Sequence, residues 1–179
     1  LFEGTWTPRQ TLEACFVTGG IPQYLLELNP ARSLAQNLDR LAFSPHGYFV
    51  AEYGRLFISH FGSNPVYEKV LRSLSRKSPQ TTEQLAATVK LRSGGHFRQL
   101  LEDLELADFV DRFVPIDKEP GSRLVRYRLH DEFLHFYYAF VAKNRRAVEE
   151  ETIQGYQLLS GRAFEIGRAS CRERVCHRV

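Results

Sequence analysis

The stretch from Arg123 to Phe140, RLVRYRLHDEFLHFYYAF, constrains the fold more than any other part of the chain. Leu124, Arg126 and Arg128 alternate with Val125, Tyr127 and Leu129, the two-residue period of a strand with one wet and one dry face. At His130-Asp131 the period changes. Asp131 suits a helix N-cap, Glu132 suits the positive end of a helix, and Phe133, Phe136, Tyr137 and Phe140 recur at i, i+3, i+4 and i+7. A strand therefore hands over directly to an aromatic helix, with a histidine and an aspartate at the joint.

The residues upstream say what that strand belongs to. Val66, Val70, Leu71 and Leu74 predict an amphipathic helix, ended by the polar run Ser75 to Gln80. Thr81 or Thr82 caps a short helix with Leu85 and Ala86, and a turn follows from Leu91 to Gly95. Phe97, Leu100, Leu101, Leu104 and Leu106 then define a longer helix. Phe109 to Val114 reads as a strand, and Asp117 to Ser122 as a Pro-Gly loop leading into the strand described above. Three helices, a strand, a loop and a strand are the order of a winged helix.

Before the break at Gly62-Ser63-Asn64-Pro65 the chain reads as a small helical bundle. Thr7 and Pro8 start a helix with the stripe Leu12, Cys15 and Phe16, and Gly19-Gly20 stop it. A second helix runs from Ile21 to Leu28. Ser33 caps a third, carrying Leu34, Leu38 and Leu41, and the apolar residues from Tyr48 to Phe61 are too dense for one exposed face. The expected fold is mainly α: a helical bundle, then three helices with a two-stranded wing.

The 24 Lys and Arg against 21 Asp and Glu give a net charge of +3. Arg168, Arg172, Arg174 and Arg178 against Glu173 account for all of it. Those residues lie in or beside IGRASCRERV, Ile166 to Val175, which resembles one translated frame of a widely used sequencing adapter, so residues 166–179 are set aside from the fold. The remaining chain balances at zero, and its charge does not point to nucleic acid. Cys15 is then the one cysteine left, which excludes a disulfide framework and fits a reducing cytoplasm. No signal peptide and no long uncharged apolar run is seen.

Two phrases resemble a known family. GGIPQYLLEL, Gly19 to Leu28, is similar to the Gly-x-Pro element in the helical lid of STAND-type AAA+ ATPases, particularly an archaeal and bacterial group. The phrase Tyr127-Arg128-Leu129-His130-Asp131-Glu132-Phe133, continuing to Tyr138, resembles the Y-x-L-x-D-x-F-x-x-F-x-Y string that follows the winged helix there. GRAFE, Gly161 to Glu165, looks like the start of the nuclease-like domain, of the PD-(D/E)xK type, that many members carry next. The resemblance implies a lid over residues 1–62, a winged helix over 63–142, and a linker with the start of the nuclease-like domain over 143–165.

The resemblance also implies roles. Gly20, Ile21 and Pro22 would meet adenine, glycine allowing close backbone approach and proline stiffening the turn. Leu129-His130-Asp131 matches the Met-His-Asp phrase of plant-type and apoptotic STAND proteins, whose histidine binds the β-phosphate of ADP. His130 and Asp131 would then sense phosphate. From the residues alone, Gly19 to Pro22 is equally a helix stop and start, Asp131 a cap, and His130 an ordinary surface or core-edge side chain. ATP or ADP with Mg2+ would be the cofactor of the intact protein, and a nucleotide-binding core preceding these residues its main partner, with self-association also open. No phosphate loop, acidic strand end or arginine finger can be assigned, so no residue is catalytic and this chain is not expected to hydrolyse ATP alone. Without that core, Tyr24, Leu25 and Phe49 are expected to expose apolar surface.

A winged-helix transcriptional regulator is the alternative. Arg98, Lys118, Arg123 and Arg126 are its candidate DNA contacts, with Arg128 also on the wing. The helix that would enter the groove carries Glu102, Asp103, Glu105 and Asp108, which disfavours a phosphate backbone. His46, His60 and His135 lack metal-ligand spacing, and no metal site is expected.

Overall fold

The computed structural model describes residues 2, 4–62, 64–115 and 124–150. Within them the chain is mainly helical, with a small three-stranded antiparallel sheet. It divides into two compact units. One is Leu56–Leu134; the other combines the chain up to Arg55 with the chain from His135 onward. The division falls inside two helices rather than at the break around residues 62–65.

In the discontinuous unit, α1 (Pro8–Thr18) starts at Thr7, whose hydroxyl accepts from the Gln10 amide while Gln10 reaches back to the Thr7 amide. This reciprocal box satisfies two amides that a helix start leaves without partners. Its buried face is Ala14, Val17 and Thr18, and not the expected Leu12, Cys15 and Phe16, since Leu12 is 55% exposed. Both sets share the same i, i+3, i+4 spacing, so periodicity does not rank them. After α2 (Pro22–Leu26), Ser33 caps α3 (Leu34–Ala42) through a second box with Gln36. Asn37 is fully buried, and its side chain accepts from the Asn29 amide (2.7 Å) and donates to the Asn29 carbonyl (2.9 Å), fastening the loop ahead of α3. Gly47 precedes α4 (Tyr48–Phe61), and a Cβ there would collide with the Leu41 backbone carbonyl. Tyr24 and Phe49 are buried and Leu25 half-buried, contrary to the exposure expected of them; Leu26 is the α2 residue that faces out.

The continuous unit holds α5 (Pro65–Arg76), β1 (Gln80–Thr81), α6 (Thr82–Val89), α7 (Gly95–Leu106), β2 (Val110–Phe113) and β3 (Arg126–Leu129). Val70, Leu71, Leu74, Leu85, Leu101 and Leu104 are buried from the three helices. They recur at helical spacing, and burying them supplies the apolar driving force. The strand order is β1-β3-β2, with Asp111 opposite Arg128 and Val110 opposite Leu129. Two strands were expected, and β1 is a third. Its two residues are too few to show alternation, and the sequence reads Gln80 as the end of a polar run and Thr81 as a candidate cap. Thr81 is the residue that caps α6, again through a box, with Gln84.

The chain then enters α8 (Glu132–Phe136), which widens into a π-helical turn over Tyr137–Val141. The expected stripe Phe133, Phe136, Tyr137 and Phe140 is buried, and Leu134, Tyr138 and Val141 are buried beside it. In the discontinuous unit, Tyr53 of α4 stacks on Tyr137 at 3.8 Å and 8°, and its hydroxyl lies 3.1 Å from that of Tyr138. Phe43 meets Phe136 edge-on at 6.3 Å. A short helix, α9 (Arg145–Glu149), carries Arg145–Glu149 and Arg146–Glu150 pairs one turn apart and buries Val148. These residues were expected to form a solvated linker. The opposite charges are one helical turn apart, which favours a helix.

Candidate functional site

The candidate residues fall into two groups, one in each unit. In the discontinuous unit α1 ends at Gly19 (φ 64°), and Gly20 follows at φ 72°. Two successive left-handed residues suit glycine, since a Cβ there is strained whatever the surrounding space. Around Gly20 that space is open. The turn is closed by the Ile21 amide donating to the Thr18 carbonyl (3.2 Å) and the Gly20 amide to the Thr18 hydroxyl (3.3 Å). Ile21 is extended and half-buried, and Pro22 opens α2, exposed. Gly20 and Pro22 thus present backbone and a proline ring on the surface. On α2 the Tyr24 hydroxyl donates to Glu52 (3.1 Å), which also pairs with Arg55 (2.9 Å).

The second group is the joint between β3 and α8. The Asp131 carboxylate accepts from the Leu134 amide at 2.6 Å, the N-cap that its sequence position predicts. The His130 amide donates to the Phe109 carbonyl (2.9 Å), continuing the β2–β3 ladder past its last pair. On the side chain, His130 Nδ1 lies 2.9 Å from Asp111 Oδ1, and His130 Nε2 lies 4.0 Å from Asp108 Oδ2. The other oxygen of Asp111 accepts from Arg128 Nε at 2.7 Å. Burial by itself would raise the Asp111 carboxyl, but the hydrogen bonds from Arg128 and His130, with their charges, outweigh it and hold Asp111 below the usual carboxylate range.

Asp108 reaches His130 because of how α7 ends. Asp108 stands in the left-handed conformation (φ 61°), its amide donates to the Glu105 carbonyl, and the Phe109 amide donates to the Leu104 carbonyl, 3.0 Å each. This is a Schellman stop with aspartate where glycine is the commonest choice. Aspartate tolerates it better than most residues.

The sequence singled out His130 and Asp131 and missed Asp111 and Asp108. Asp111 was hidden because the residues from 114 to 125 leave the hairpin register open. The available signal was opposite charge on neighbouring strands. Arg128, read as a wing cation, is committed to Asp111 and lies over the Phe113 ring (5.5 Å).

Of the candidate DNA contacts, Arg98 and Arg126 are exposed, whereas Lys118 and Arg123 lie outside the described residues. On α7, Glu102 is exposed, and Asp103 accepts from the Tyr67 hydroxyl at 2.6 Å. Burial, then that hydrogen bond and the charge of Asp103, push the Tyr67 phenol up to about 12. Among the described residues no group of three or more His, Cys, Asp or Glu is placed to hold a metal ion. No helix among them is long and apolar enough to cross a membrane. Glu165 and the GRAFE phrase, and the adapter-like stretch, lie outside the described residues. Compared with family models, curated proteins and solved structures, the chain matches none.

Proposed function

We propose that this chain is the lid and winged-helix portion of an ATP-driven switch of the AAA+/STAND class, working in the cytoplasm. In this reading Gly20, Ile21 and Pro22 meet the adenine, His130 meets a phosphate of ADP, and Asp131 fixes the start of the helix behind it. The observation that carries the reading is the element order α5-β1-α6-α7-β2-β3 with strand order β1-β3-β2, ending directly on His130 and Asp131. Apart from β1, the sequence of elements is the three helices, strand, loop and strand on which the winged-helix reading rests. The exposed glycine and proline turn supports the adenine contact, because backbone with no Cβ in the way admits a flat base.

The test is ADP retention by the native gene product. His130→Ala should weaken ADP binding by about tenfold, the worth of one charge-assisted hydrogen bond. Unchanged ADP affinity removes His130 from the nucleotide site. Photolabelling with 8-azido-ATP addresses the adenine contact. Label in the tryptic peptide from Gln10 to Arg32 supports it, and label confined elsewhere overturns it.

The winged-helix transcriptional regulator makes the opposite demand. Exposed Arg98 and Arg126 favour it, and it requires duplex affinity that falls steeply with salt. The acidic side chains of α7 and the loss of Arg128 to Asp111 weigh against it.

A further inference from the structure

We propose that Asp108 is a built-in competitor for the phosphate-facing side of His130, and that Asp111 is the positioning residue that holds the imidazole ready for the exchange. This rests on the reading of His130 as a phosphate contact and adds two residues to it.

The argument is the inequality of the two carboxylates around one ring. Asp111 lies at hydrogen-bond distance from Nδ1 (2.9 Å), and its second oxygen is anchored by Arg128. Asp108 lies 4.0 Å from Nε2, inside ionic range but beyond a hydrogen bond, and its side chain is 85% exposed. The first contact is a fixed support and the second a loose, solvent-screened attraction. A doubly protonated imidazole donates from both nitrogens. With Nδ1–H given to Asp111, Nε2–H points toward the side Asp108 occupies. A phosphate group carries more charge than one carboxylate and offers more acceptor oxygens. It would take over Nε2–H while Asp108 withdraws into solvent. No covalent bond changes. Arg128 and Asp111 stay paired throughout, so the exchange exerts its effect at the residue directly before the cap of α8.

The backbone makes a clean test available. Asn adopts the left-handed conformation as readily as Asp, so Asp108→Asn removes the charge and leaves the α7 stop intact. Asp108→Gly does the same with no side chain. ADP affinity of the native gene product is measured by fluorescent-nucleotide titration at low and high salt. The wild type, Asp108→Asn, Asp108→Gly, His130→Ala, and the double variant of Asp108→Asn with His130→Ala are compared. Both Asp108 variants should bind ADP about threefold more tightly at low salt, with the gain fading at high salt. The gain should disappear when His130 is absent. Asp111→Asn should weaken ADP binding, and the Asp108→Asn gain should shrink on that background. Equal affinity of the wild type and both Asp108 variants, or a gain that persists without His130, overturns the competitor role. If His130→Ala alone leaves ADP affinity unchanged, the phosphate contact itself fails, and the competitor role fails with it.

Discussion

Each of the two units is closed in a different way. The continuous unit packs aliphatic side chains from neighbouring helices (Leu71, Leu74, Leu85, Leu101, Leu104) under a three-stranded sheet, and closes its last hairpin with a polar clasp at Asp111. The discontinuous unit is closed by aromatic rings from distant parts of the chain, Tyr53 on Tyr137 and Tyr138, and Phe43 on Phe136. In the first, local periodicity and hairpin pairing do most of the ordering. In the second, the N-terminal helices depend on residues that arrive only after the whole continuous unit has been made. The difference teaches that one unit should tolerate local damage at its surface, whereas the other should fail when its late-arriving rings are removed.

The largest expected effect tests that dependence. Tyr137→Ala removes a 2%-exposed ring stacked on Tyr53 and should cost about 3–5 kcal/mol, seen as a lower urea midpoint and loss of near-ultraviolet circular dichroism. Amide-exchange protection should fall in α1, α3 and the first half of α4 and persist in α5 and α7. Equal loss in both sets would erase the distinction between the units. Leu101→Ala is the counterpart in the continuous unit, with a fully buried side chain and an expected cost of about 2–4 kcal/mol. Its protection loss should centre on α5, α6 and α7.

A smaller effect sharpens the contrast at the clasp. The folded-state pKa of Asp111 lies below its unfolded value, so its contribution is present above the unfolded carboxylate pKa and is lost as pH falls through the folded one. Because the side chain is partly solvated, Asp111→Asn should cost about 1 kcal/mol at neutral pH. The variant and the wild type should converge in urea midpoint at strongly acidic pH. A difference that stays constant down to the acid limb would show that the carboxylate charge is not what stabilises the hairpin. The smallest effect has the opposite sign. Asp108→Gly relieves a left-handed non-glycine residue and should raise stability by about 0.5–1 kcal/mol, read as a small increase in thermal midpoint. A decrease would mean that the ion pair with His130 outweighs the backbone term.

Much of the candidate site was legible because its signals are local. Gly19 and Gly20 mark a helix stop, Pro22 a helix start, and Asp131 a cap three residues before the amide it accepts. His130 stood out at a change of period. The environment of His130 was not legible, since Asp111 is brought opposite Arg128 by a register that the intervening residues leave open, and Asp108 reaches the ring only through a left-handed helix stop.

The sequence by itself determined the helix starts at Thr7 and Ser33, the apolar faces of α3 and α5, and the strand-to-helix joint at His130 and Asp131. Each depends on residues within about one or two turns of one another, so spacing and capping chemistry suffice. The sequence left the α6 cap between Thr81 and Thr82 and counted Leu106, which is 85% exposed, with the apolar face of α7. Only the tertiary structure decided which of two equivalent stripes α1 buries, that residues 80 and 81 join the sheet, and that the chain from His135 belongs with the first three helices and α4 as far as Arg55. Those outcomes turn on contacts between residues far apart in the chain, such as Tyr53 with Tyr137. Their energy depends on a geometry that no local pattern encodes.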